Sequence, residues 1–197
     1  MIAHLNGTVT EKTPTYVVID CAGVGYLANI SLTTYSKIGA PGATARLLIH
    51  AIYREDAQLL FGFAEANERE MFRYLISVSG VGGNTALLML SALTVTDIET
   101  AIATANLALL KGVKGIGEKT AQRIIVDLRG KVTKGNSGIP GSLLTGLHKE
   151  RDEAITALIS LGFNKASVEK AIDGIIRKQG DTLTTVEQLI KEGLKVL

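Results

Sequence analysis

The period of the apolar positions changes once, near residue 65, and that change divides the chain. Before it, runs rich in Val, Ile, Leu and Tyr occupy residues 2–10, 16–21, 25–31, 45–53 and 58–63, with the alternation or short continuous apolar character of strands. Lys12-Thr13-Pro14, Ala22-Gly23 and Gly39-Ala40-Pro41-Gly42 separate the runs as turns. Five short strands within residues 1–64 predict a small closed or nearly closed β-barrel. An OB-fold fits this pattern, and an SH3-like barrel would give a similar one.

After the change, apolar residues recur at helical spacing. Asn67 reads as an N-cap with Glu70 three positions on, followed by Met71, Phe72, Leu75 and Ile76. Thr96-Asp97-Ile98-Glu99 repeats the capping-box pattern ahead of Ile102. Residues 65–132 therefore predict four or five short helices. Residues 133–148 collect Gly, Ser, Asn and Pro without a period and read as a flexible linker. Three more helical patterns follow at 150–161, 165–178 and 184–196 within a last domain, 149–197, with Thr184 and Glu187 as a capping box for the third. A bundle this small has a marginal core and suits a domain that meets a partner.

Two Gly-hydrophobic-Gly turns interrupt the helical segment, Gly80-Val81-Gly82 and Gly115-Ile116-Gly117, at a spacing of 35 positions. Each stands between helix-like stretches, so the segment carries a weak internal repeat. Glycine permits a tight reversal and close approach of another backbone. A helix that starts straight after such a turn offers free N–H groups and a positive dipole end to an anion. A compact helix–helix connection would use the same residues. Duplication favours the anion-holding purpose, a device that holds two phosphates of a nucleic acid.

Charge distribution strengthens that reading. The net charge is only +2, and residues 1–64 and 135–197 each balance to zero. Residues 107–134 carry seven basic against two acidic side chains, a net of +5, around the second glycine turn. The chain is 46% hydrophobic, which predicts a folded core, and no apolar run is long enough to span a membrane. No signal peptide is visible, and Cys21, the single cysteine, reads as packed in a strand, so a cytoplasmic location is expected.

Other chemistry is poorly supported. Residues 112–120 almost match a P-loop, but Glu118 separates Gly117 from Lys119 and no strand precedes. Gly23-Val24-Gly25-Tyr26-Leu27-Ala28 imitates a dinucleotide fingerprint but leads into another strand. His4, His50 and His148 are scattered, no metal site or cofactor is indicated, and no catalytic set stands out. The alternative from another class is a DNA repair nuclease or lyase subunit, for which Lys119 and Asp127 are the nearest candidate pair.

The glycine turns resemble the helix-hairpin-helix family, whose hairpins hold the DNA backbone through main-chain N–H groups. Across the whole chain the similarity extends to the RuvA family of Holliday-junction-binding proteins. Val24-Gly25-Tyr26, the stretch 54–63 (Arg-Glu-Asp-Ala-Gln-Leu-Leu-Phe-Gly-Phe), both hairpins with residues 118–123, and the stretch 157–163 carry it. The resemblance implies an OB-like five-stranded barrel, a tandem helix-hairpin-helix domain and a three-helix, UBA-like tail. It implies a non-catalytic subunit, a homotetramer or two stacked tetramers, that holds a four-way junction open for the RuvB ATPase and works beside the RuvC resolvase. Gly80, Val81, Gly82, Gly115, Ile116 and Gly117 would then hold phosphates, with Lys114, Lys119, Arg123 and Arg54 supplying charge. Glu55 and Asp56 would form an acidic pin that parts strands by repelling phosphates. Leu158, Leu161 and Phe163 would face the motor. Two departures from the family pattern remove usual cations: Gly83-Asn84 after the first hairpin and Glu118 after the second. Lys111 and Lys114 are expected to compensate.

Overall fold

Alternation along the five apolar runs closes them into a barrel. The computed structural model describes residues 1–135, 145–179 and 185–197, and the chain divides into two units between Ser137 and Gly138. The first unit opens with β1 (His4–Lys12), β2 (Tyr16–Cys21), β3 (Val24–Ile30), the short helix α1 (Leu32–Lys37), β4 (Thr44–Tyr53) and β5 (Gln58–Phe63). The strands close in the order β1-β2-β3-β5-β4, antiparallel except where β5 runs beside β3. Leu5, Val9, Val17, Ile19, Ala28, Ile30, Leu47 and Ile49 fill the interior, each pair in a strand separated by two positions or a multiple of two. The sequence gives no sign of α1, because six residues are too few to show a helical period. Ser31 caps it, accepting from the Thr34 backbone N–H at 3.0 Å.

Strand β5 turns its outward residues into a second core. Phe61 and Phe63 leave the barrel and each packs against Phe72, with ring centroids 4.9 Å apart. Gly62 between them faces the barrel interior, where an added Cβ would lie 3.2 Å from Ala28 and Leu47 side-chain atoms. The helical core is completed by α2 (Ala66–Ile76), α3 (Gly83–Ala92), α4 (Val95–Ala103), α5 (Leu107–Lys111) and α6 (Glu118–Gly135). Gly83, the first residue of α3, packs directly on Phe61: an added Cβ would stand 2.4 Å from the ring.

A buried carboxylate adds a polar tie at the same junction. Glu68 of α2 is 1% exposed and accepts hydrogen bonds from the hydroxyls of Ser31 and of Thr34, the latter at 2.6 Å. Thr34 Oγ1 in turn accepts from the Ala64 N–H at 3.0 Å. Barrel and helices are thus joined by packing and by a satisfied polar network.

Three expected caps are displaced. Helix α2 starts at Ala66, and Asn67 lies inside its first turn, its side chain accepting from the Glu68 N–H at 2.8 Å. The capping box of α4 is Thr94 with Asp97, because Thr94 has the extended backbone an N-cap requires while Thr96 is already helical. In the second unit, α7 (Thr145–Ser160), α8 (Lys165–Gln179) and α9 (Val186–Val196) surround their own core of Ala154, Ile155, Leu158, Val168, Ile172, Ile175 and Leu189. Thr185 with Gln188 caps α9, and Thr184 lies outside the described residues. Of the expected linker, 136–144 also lie outside them, whereas 133–135 and 145–148 belong to α6 and α7.

Replacing Glu68 by Ala leaves two buried hydroxyls without their acceptor. Glu68→Ala should lower the unfolding free energy by about 2–4 kcal/mol in urea titration. A loss under about 0.5 kcal/mol would show that the network is not a stabilising tie.

Candidate nucleic-acid interface

Both glycine turns are built from the same hydrogen bonds. In the first, Val81 N–H donates to Val78 O at 3.0 Å and Ala86 N–H to Gly82 O at 2.9 Å. In the second, Ile116 N–H donates to Val113 O at 3.1 Å and Ala121 N–H to Gly117 O at 2.9 Å, each partner 35 positions on. Gly80 and Gly115 take φ of +92° and +91°, a conformation that other L-residues rarely adopt. The central Val81 and Ile116 are buried and anchor each turn in the helical core.

Gly82 and Gly117 have no such internal reason to be glycine. Gly82 has φ −90°, Gly117 is not among the positive-φ residues, and an added Cβ at either would meet nothing within 4 Å. Neither strain nor crowding within the chain excludes a side chain there. Their bare backbone leads straight into α3 and α6, whose first-turn amides have no partner within the helix. The arrangement leaves room for an external anion to approach closely.

The side-chain charges are distributed unequally between the two turns. Lys114 and Lys119 flank the second, whereas Ser79 and Asn84 stand at the matching positions of the first. Arg123 is matched by Leu88, which is half exposed. The first turn instead receives cations from α6: Arg123 Nη1 donates to Ser79 O at 3.1 Å, and Lys131 Nζ lies 3.3 Å from Ser77 Oγ. Lys131 has no local signal in the sequence, since its contact spans 54 positions. Lys111 does not stand free to compensate, because its Nζ is 3.0 Å from Glu118 Oε2. The Gly83 departure has a steric cause in this chain, the Phe61 ring beneath it.

Glu55 and Asp56 occupy the exposed tip of the β4–β5 connection, closed by Arg54 N–H donating to Ala57 O at 2.8 Å. They are turn residues rather than strand residues, and Arg54 beside them is exposed. Among the described residues no group of three or more His, Cys, Asp or Glu could hold a metal ion. His50 packs on Phe72 at 5.5 Å and accepts from Arg73 Nε at 3.4 Å. Burial first, then the Arg73 and Arg69 charges, holds its imidazole below the ordinary pKa, consistent with a neutral acceptor. Lys119 and Asp127 are both exposed on α6.

In the tail, one expectation fails. Leu158 is fully buried in the three-helix core, where it packs against Gly193, so it cannot belong to a surface. Phe163 is half-buried against the same core, and Leu161 is 62% exposed. No single helix among the described residues is long and apolar enough to cross a membrane.

Comparison with known proteins follows the same divisions. Residues 1–62 match the RuvA N terminal domain, 72–131 the SAM-like helix-hairpin-helix tandem, and 149–197 the RuvA C-terminal domain. Relatives named Holliday junction branch migration complex subunit RuvA are similar over the full length of both chains. That of Bacteroides fragilis is 47% identical over 204 residues, that of Christiangramia forsetii 46% over 197, and that of Flavobacterium psychrophilum 45% over 197. With such relatives matched end to end, and RuvA domains at both termini, the chain belongs to the RuvA family.

Proposed function

We propose that this chain binds four-way DNA junctions and presents them to a separate ATP-driven motor, a reading supported by relatives named as subunits of a Holliday junction branch migration complex. The observation that carries the reading is the pair of equivalent hairpins whose outer glycines are required by neither backbone strain nor crowding. Phosphates bind at the hairpins Gly80–Val81–Gly82 and Gly115–Ile116–Gly117 through the glycine N–H groups and the helix starts that follow, while Val81 and Ile116, whose N–H groups are paired within each turn, anchor the hairpins. Lys114, Lys119 and Arg123 add charge, Arg123 while bracing the first hairpin, and Arg54 adds a contact beside the acidic turn. Such contacts follow the backbone and carry no base information, so the ligand is selected by shape.

A homotetramer, or two stacked, would gather four acidic turns at the crossover, where Glu55 and Asp56 repel phosphates and keep exchanging strands apart. The tail recruits RuvB through exposed apolar side chains, Leu161 chief among them and Phe163 beside it, with Leu158 supporting them from the core. RuvB hydrolyses ATP, RuvC resolves the junction, and this chain binds and positions without catalysis in the cytoplasm.

Four outcomes are expected. At moderate salt the chain should bind a synthetic four-way junction at least about tenfold more tightly than linear duplex of equal length, a difference of about 1.4 kcal/mol. Gly82→Val and Gly117→Val should fold, losing no more than about 1 kcal/mol at the cap, yet weaken junction binding about tenfold or more. Equal affinities for junction and duplex would refute junction selectivity, and unimpaired binding by both variants would refute the hairpin assignment. Glu55→Gln with Asp56→Asn should keep or strengthen binding while changing the rate of branch migration, and a large loss of binding would mean the pair is structural. Removing residues 149–197 should spare junction binding and abolish RuvB stimulation, and stimulation that survives would overturn the tail assignment.

A further inference from the structure

The Lys111–Glu118 ion pair spans the second hairpin, from the last residue of α5 to the first residue of α6. Its side chains are 44% and 62% exposed, and surface pairs of this kind contribute little to folding. Its effect is on the charge offered to a ligand. A carboxylate in the first turn of a helix interacts favourably with the positive dipole end, the same field that attracts a phosphate. Glu118 therefore competes for the amides that the Gly115–Gly117 turn presents. By pairing with Lys111 it also removes one of the three lysines nearest the turn.

The first hairpin has no such competitor. Its matching position is Gly83, where the Phe61 ring leaves no space for a side chain. It also lacks a cation of its own at the positions matching Lys111, Lys114, Lys119 and Arg123, which hold Ile76, Ser79, Asn84 and Leu88. One hairpin is thus poor in charge by composition, and the other is made poorer by an internal pair. Among the described residues Lys114 and Lys119 form no ion pair, so Lys111 is the cation at this turn that a single carboxylate change would release.

We propose that Glu118, paired with Lys111, is a built-in counter-charge that limits how strongly the second hairpin holds a DNA phosphate and brings the two hairpins toward equal grip. This rests on the reading of the hairpins as phosphate sites. Removing the carboxylate has two consequences: the amides meet the phosphate without repulsion, and Lys111 becomes free to displace a counterion. Each further phosphate neutralised steepens the dependence of log affinity on log salt by about 0.9.

Four-way junction binding by the full chain, titrated across salt concentrations, tests this. Glu118→Gln should bind at least about threefold more tightly at low salt, with a slope steeper by about 0.9 per chain. Lys111→Met alone should leave the slope unchanged, and Lys111→Met added to Glu118→Gln should return it to the starting value. Glu169→Gln makes the same charge change on α8 of the second unit and should alter neither quantity. Glu118→Ala provides a second variant if the glutamine variant unfolds, which thermal melting reports. An unchanged slope in both Glu118 variants, or an equal gain from Glu169→Gln, overturns the proposal. A parent chain that does not bind the junction overturns the phosphate reading instead, so the two failures are distinct.

Discussion

Strand β5 lies in two cores at once, and the placement of the acidic turn and of the first hairpin depends on it. The strand's pleat sends Gly62 into the barrel and Phe61 and Phe63 into the helices. The acidic tip at Glu55 and Asp56 is the turn that enters this strand, and Gly83 at the mouth of the first hairpin rests on Phe61. The acidic turn and the first of the proposed phosphate cradles are thereby tied to one strand. Glu68, buried and satisfied by Ser31 and Thr34, resists rotation about that contact, because hydrogen bonds are directional where apolar packing is not. A four-way junction places its crossover and its arms at fixed separations, so a protein selecting it by shape needs this stiffness more than affinity at any one site.

Much of this was legible in the sequence. The alternating or apolar runs located all five strands to within two residues, because β1 to β4 each bury one face, which a one-residue slip would reverse, and β5 is buried on both. The glycine turns were legible because positive φ and an unobstructed helix start both demand glycine at a recognisable spacing. Caps were less so: Thr94 and Thr96 are chemically alike, and only backbone conformation decides which begins the helix. The short α1 has too few residues to declare a period.

Tertiary contacts between distant positions were not legible. Local spacing made Lys111 a free cation, and the fold pairs it with Glu118 across a reversal. Local spacing assigned Arg123 to the second hairpin, and the fold also ties it to Ser79 of the first, 44 positions away. Leu158 and Leu161 stand three apart in an apolar run, a separation that can place both on one helical face, yet Leu158 meets Gly193 in the core while Leu161 is exposed. Apolar residues near the end of a helix do not announce which of them is needed inside.

The distribution of charge bears on how such a protein could work. A grip made mainly of side-chain cations is strong and steeply salt-dependent, and it opposes any motion that pulls phosphates away from fixed charges. A grip made mainly of backbone N–H groups at a helix start is directional and short-ranged, and each turn of a duplex presents another phosphate of the same geometry. In this chain the first hairpin has backbone geometry with cations lent by α6, and the second has lysines offset by Glu118. Both features move the grip toward the second kind. In the proposed role, holding DNA while a partner draws the arms through it, contacts that re-form at each phosphate step serve better than contacts that must be broken against a high field.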